Sequence, residues 1–122
     1  MSNDYGNELI ITIVKRGWSE PVLAAARGAG AEGGTILLGR GTGIHEVKTL
    51  LGIAIEPEKE IILTVVAADR TDTVLDAIVA AAELDQPGMG LAFVLPIRRI
   101  TGQVHMFRKD EAESPGAPRA PV

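Results

Sequence analysis

Leu9–Val14 reads LIITIV: six residues with no charge, five of them branched at Cβ. Branched Cβ atoms lose rotamers in a helix and pack well on a pleated surface, so the stretch predicts a β-strand. Downstream, Ser19 is the expected N-cap of a helix with Pro21 in its first turn. Val22, Ala25, Ala26 and Ala29 recur at i, i+3, i+4 and i+7, which puts them on one helical face. Gly28, Gly30 and Gly33-Gly34 end that helix, and Thr35–Leu38 restarts extended chain. Ile61–Ala67 (IILTVVA) predicts a third strand. Thr71 is the expected cap of a second helix, on which Val74, Ile78, Ala81 and Ala82 share a face. Pro87-Gly88 breaks the chain, and Leu91–Ile97 (LAFVLPI) predicts the fourth strand.

The order βαββαβ predicts an α+β fold, the ferredoxin-like split-βαβ sandwich, with both helices on one face of the sheet. A small parallel α/β fragment is the alternative. The strands themselves carry a second message. In an antiparallel sheet with one face in water, residues should alternate apolar and polar. Instead Leu9, Ile11 and Ile13 oppose Ile10, Thr12 and Val14; Ile61, Leu63 and Val65 oppose Ile62, Thr64 and Val66; Leu91, Phe93 and Leu95 oppose Ala92 and Val94. Both faces are apolar while helices can cover only one. The bare face predicts self-association, most simply a closed ring with the sheets lining its inside.

Composition narrows the rest. The 122 residues hold 12 Lys+Arg against 16 Asp+Glu, a formal charge of −4, with 46% hydrophobic residues and no cysteine. That length suits one domain. Without cysteine there is no disulfide, thiolate catalyst or Cys-based metal site. The mild acidity argues against a nucleic-acid partner, which requires clustered positive charge. MSNDYGNELI lacks a signal peptide's basic start and apolar run, and no stretch reaches the ~20 apolar residues that span a bilayer. A cytoplasmic protein without membrane insertion is expected. The predicted folded unit is 8–109, with Met1–Asn7 frayed. The tail 110–122 (DEAESPGAPRAPV), with three prolines, cannot bury enough surface to offset its ordering entropy and is expected to be disordered.

Three glycine-rich stretches are candidate sites: Gly33-Gly34, Gly39–Gly43 and Gly88-Met89-Gly90. Glycines let backbone N–H groups approach an anion closely; tight turns are the plain alternative, and no Walker or dinucleotide spacing is present. Gly43–Glu60 is longer than a hairpin needs and rich in Ile44, Val47, Leu50, Leu51, Ile53 and Ile55. One or two amphipathic helical turns, with His45, Glu46 and Lys48 outward, would make it either a cap on its own subunit or a partner-docking loop. No catalytic constellation accompanies His45 and His105, the only histidines, so an enzyme is not expected. Asp69, Asp72 and Asp76 suit compensation of a helix dipole better than a metal. Arg98-Arg99 reads as a solvated pair, and Trp18 as packing.

These motifs, in this order, resemble the PII signalling proteins and their divergent PII-like relatives. The resemblance rests on IITIVKRGWSEPVLAAARGAGAEGGTILLGRGTG, ILTVVAADRTDTVLDAIVAAA and QPGMGLAFVLPIRRI, which cover most of Leu9–Ile100. It implies a homotrimer that holds ATP or ADP in clefts between subunits. It also implies a long T-loop that responds to ligand and docks on a regulated enzyme or membrane transporter, commonly in nitrogen metabolism. On matching positions, Gly34 and Thr35 would sit near the nucleotide base, and Gly41 and Gly43 would open the T-loop. Gly88, Met89 and Gly90 would form the B-loop, and Ile44, His45, Val47, Leu50 and Leu51 would present the docking surface.

Several positions depart from the family pattern. The family's B-loop Gly-Asp-Gly-Lys is here Gly88-Met89-Gly90-Leu91; its paired arginines fall on Gly102 and Val104; its loop glutamine is His45; its third-strand lysine falls near Ile61, with Lys59 close by. No loop tyrosine exists for nucleotidylylation, since Tyr5 is the only tyrosine. Each lost charged contact would cost a phosphate ligand ~1.5–3 kcal/mol in a dry cleft. ATP stays a candidate ligand but is not assumed; these losses favour a nucleotide with fewer phosphates (ADP or AMP) or another small anion, with Arg40, Lys59, Arg98 and Arg99 as substitute cations. The alternative function is a trimeric adaptor whose apolar loop binds a partner without any ligand.

Overall fold

The structure, a computed structural model, describes residues 6–43, 49–54 and 56–102. The expected tail, 110–122, lies outside the described residues. Strand β1 spans Asn7–Lys15, helix α1 Ser19–Gly28 and strand β2 Thr35–Arg40. Two short strands follow, β3 (Thr49–Leu50) and β4 (Ile53–Ala54), then the long β5 (Glu58–Ala67). A 3-10 turn (Ala68–Arg70) leads into α2 (Thr71–Ala82), and β6 spans Gly90–Pro96. The main sheet runs β2-β5-β1-β6, with every neighbouring pair antiparallel, and β3-β4 form a separate hairpin. This is the expected α+β, ferredoxin-like sandwich, each helix crossing over between strands that are not neighbours.

Pairing register fixes which residues share a face. Ile10 lies opposite Thr64 and Val94, and Thr12 opposite Ile62 and Ala92. On this face Ile10, Thr12, Val14, Ile62, Thr64 and Val66 are buried under Val22, Ala26, Val74, Ile78 and Ala82 of the helices. Trp18 packs against this core as expected. The hydroxyls of Thr12 and Thr64 find no hydrogen-bond partner in it among the described residues. The opposite face has no helix. There Leu37, Leu91, Phe93 and Leu95 are exposed at 47%, 52%, 39% and 44%, beside half-buried Leu9, Ile11, Ile13, Ile61, Leu63 and Val65.

Three local expectations are corrected. Asn7 is not frayed: it opens β1, is 1% exposed, and its carbonyl accepts the Ile97 N–H at 3.2 Å. Ser19 is the first helical residue rather than the cap; Trp18 occupies the cap position with no side-chain bond. The exposed N–H groups there are met by another strand, because Glu60 Oε1 accepts from the Gly17 N–H (3.1 Å) and the Ser19 N–H (2.9 Å). Thr71 likewise starts α2 instead of capping it, and its hydroxyl donates to the Ala67 carbonyl at 3.4 Å. At α1 a tertiary acceptor thus takes the place of a local side-chain cap.

The candidate functional site

At one end of the sheet, where β2 leaves for the long loop and β6 begins, a cleft of about 550 Å³ opens. Arg40, Gly41, Thr42 and Gly43 line one wall, Gly88, Gly90 and Leu91 another, and Ile13, Ile61 and Lys59 lie between them. Two glycine motifs some 45 residues apart in sequence thus meet. Topology brings them together: β2 and β6 are the outer strands, and β5 and β1 between them contribute Lys59, Ile61 and Ile13.

Strand alternation sorts the charges around this cleft. Lys59 shares a face with Ile61, and register places it opposite Lys15. Glu58 and Glu60 point the other way. Arg16 pairs with Glu58 at 2.6 Å, both side chains well exposed, a contact worth no more than about 1 kcal/mol. Burial by itself would raise the Glu60 pKa, but the Ser19 hydroxyl, the Ser19 and Gly17 amides and the nearby Arg16 charge outweigh it. The carboxyl is held below its usual 4.5. The acidic residues of this segment are occupied on the helix side, and no carboxylate lines the cleft among the described residues. Among the described residues, the charged ones that line the cleft are Arg40 and Lys59, in a chain of net negative charge.

Of the residues expected at the site, Gly41, Gly43, Gly88 and Gly90 line this cleft. The Gly41 N–H donates to the Pro57 carbonyl at 3.1 Å and so ties the two ends of the loop together. Gly90 has a structural duty as well: at φ +134° any Cβ would stand 2.2 Å from the Ile13 carbonyl. Met89 is half-buried, does not line the cleft, and its N–H turns back to the Gln86 carbonyl at 3.3 Å. Gly34 and Thr35 lie at the far end of β2, where Thr35 pairs with Leu63 while Arg40 pairs with Glu58. A Cβ on Gly34 would meet Leu23 Cδ2 at 2.9 Å and the Leu63 carbonyl at 3.1 Å, so packing alone accounts for that glycine. Ile44, His45 and Val47 fall outside the described residues.

Leu50 pairs with Ile53 in the β3-β4 hairpin. The helical turns expected to include Leu50 and Leu51 are thus replaced there by a two-residue turn, Leu51 (φ 53°) and Gly52 (φ 79°). Positive φ at both central positions is the type I′ pattern that matches strand twist, with a leucine where asparagine or glycine is usual. Leu51 is 94% exposed at the tip. Sequence reading also passed over Ile13, Ile61 and Leu91 as site residues; it is the pairing register that sets them side by side. Asp69, Asp72 and Asp76 form no metal-holding group among the described residues.

The description "nitrogen regulatory protein P-II" belongs to the family whose profile matches residues 7–110. No curated protein sequence matches the chain. Among 195 matching chains of known structure is the PII protein of Arabidopsis thaliana bound to citrate. It is 24% identical, with a TM-score of 0.59, over 75% of each chain. That likeness concerns the fold. Among the described residues no helix is long and apolar enough to cross a membrane. With the family profile spanning nearly all of the sandwich and the loop that interrupts it, the chain belongs to the nitrogen regulatory protein P-II family.

Proposed function

We propose that this chain is a PII-type regulatory protein and not an enzyme: it binds a small anion beside its T-loop and relays occupancy to a partner through that loop. The observation that carries this reading is the convergence of the loop-opening Arg40–Gly43 segment, Lys59 and the Gly88–Gly90 turn on a single cleft. A ligand held there touches the base of the loop, so binding and loop conformation share one free energy. The uncovered sheet face supports a homotrimer, in which a neighbouring copy would complete each cleft and could bring its own Gly34 and Thr35 toward the ligand. The regulated partner is an enzyme or a membrane transporter, the setting cytoplasmic, and nitrogen metabolism the process that the family's description favours.

The candidate ligands are ATP, ADP and AMP. The citrate in the plant neighbour's description makes a small carboxylate a further candidate. Isothermal titration of the full chain with ATP, ADP, AMP and citrate tests the ligand half: a saturable signal from at least one is expected, and silence from all four rejects it. A second reading, a ligand-independent adaptor, is favoured by the exposed Leu51 at the hairpin tip. Removing 44–55 should abolish partner capture on either reading. Capture that stays equal with and without ligand separates the adaptor from the sensor.

A further inference from the structure

The first residues of β5 have different neighbours on their two sides. On one side Lys59 and Ile61 line the cleft. On the other, Glu60 Oε1 accepts the N–H groups of Gly17 and Ser19, and Glu58 pairs with Arg16. Just upstream, the Pro57 carbonyl accepts the Gly41 N–H and so joins this strand end to the base of the long loop. Successive residues of a strand point to opposite faces, so one short piece of backbone serves both sides. We propose that this strand end carries the state of the cleft through the sheet to the start of α1, with Glu60 as the linking group. This rests on the ligand-binding reading above and adds a second place, on the helix side, where occupancy is felt.

The receiving end is built to respond. No side chain of its own turn caps α1, since Trp18 occupies the cap position without a side-chain bond. Gly17 stands at φ +95°, a conformation that glycine adopts without strain. Two amides at this entry thus lean on one carboxylate oxygen seated on another strand. The Glu60 carboxyl titrates below its usual 4.5, so it is ionised at neutral pH, and a charged acceptor makes the stronger bond. Glu60 stands in sequence between two cleft-lining residues, Lys59 and Ile61. A ligand seated against them restrains this backbone, and with it the oxygen that holds Gly17 and Ser19. The far end of α1 closes on its own backbone instead: the Gly30 N–H donates to the Arg27 carbonyl at 3.1 Å and the Ala31 N–H to the Ala26 carbonyl at 2.9 Å. Local opening at the two ends of the helix is therefore governed by different partners.

Amide exchange followed by NMR on the full chain, with and without saturating ATP, ADP, AMP or citrate, tests the proposal. For a probe that isothermal titration shows to bind, exchange at Gly17 and Ser19 should slow threefold or more, while Gly30 and Ala31 slow by less than threefold. Glu60→Ala, which removes the acceptor, should abolish the ligand-dependent slowing at Gly17 and Ser19 under saturating probe. The contrast between the two ends in the unaltered chain needs no variant to be decisive. Slowing of less than threefold at Gly17 and Ser19, equal slowing at both ends of α1, or slowing that persists in Glu60→Ala overturns the proposal and leaves the ligand-binding reading standing. Silence from all four probes in the titration overturns both.

Discussion

The two faces of the sheet are built from the same strands and nearly the same residue types, yet they end in different states. Under the helices, Ile10, Val14, Ile62 and Val66 are exposed at 2% or less. One residue along each strand, Leu9, Ile11, Ile13, Ile61, Leu63 and Val65 are only half-buried, and Phe93 and Leu95 of β6 are exposed. The first face is finished by this chain's own helices; the second offers a contiguous apolar surface that a single chain leaves wet. Burial at ~25 cal/mol per Å² makes such a surface unfavourable alone and favourable against a copy of itself. The cleft sits at the edge of this second face, so in the proposed homotrimer covering the face would also complete the site.

The comparison can be broken most severely by placing a charge on the open face. Phe93→Glu should leave the helix-side core intact by circular dichroism while reducing the assembly to single chains in sedimentation velocity. A charge trapped in an apolar interface costs several kcal/mol, a loss of association of a hundredfold or more. A matched pair of truncations sharpens the contrast. Ile10→Ala should lower unfolding stability by about 2–5 kcal/mol through the cavity it leaves. Leu63→Ala, on the other face, should cost the single chain under about 1 kcal/mol and weaken association instead. Urea unfolding at several protein concentrations distinguishes the two.

Glu60 holds the start of α1 from β5, and Glu60→Gln should cost about 1 kcal/mol at neutral pH, as loss of a helix cap does. Its carboxyl titrates below 4.5 in the fold, so its stabilisation is complete above that value and is lost as pH falls through the folded pKa. The difference between wild type and variant should therefore be present at pH 7 and shrink as pH falls below 4.5 in parallel denaturant melts. The smallest effect is expected inside the helix-side core. Thr64→Val removes a buried hydroxyl that lacks a partner among the described residues and should stabilise by up to about 1 kcal/mol. A marked loss would mean that the hydroxyl is bonded.

Strands were legible from the density of β-branched residues in LIITIV and IILTVVA, helices from the 3.6-residue period of Val22–Ala29, and the sheet order then follows from βαββαβ connectivity. The open face was legible because these strands are apolar on both faces while helices can cover only one. The cap of α1 was not, because its acceptor lies more than 40 residues away in β5. The segment ending at Leu51 misled because apolar spacing cannot distinguish a helical turn from a tight hairpin; the informative residue was Gly52, directly after the tip. Of the glycine motifs, Gly41, Gly43, Gly88 and Gly90 meet at one end of the sheet. Gly34 carries the same residue type for a packing reason, the close approach of Leu23 and the Leu63 carbonyl. The aliphatic row Ile13–Ile61–Leu91 was visible as strand residues but not as cleft lining, since only register places its members side by side.

Sedimentation equilibrium of the full chain at micromolar concentration tests the central claim most directly. If the helix-free face of the sheet is made to be covered by copies of itself, the protein runs as a species of three chains. A stable, well-behaved single chain would contradict the account, for that face would then be content in water and the cleft at its edge would have no neighbour to complete it.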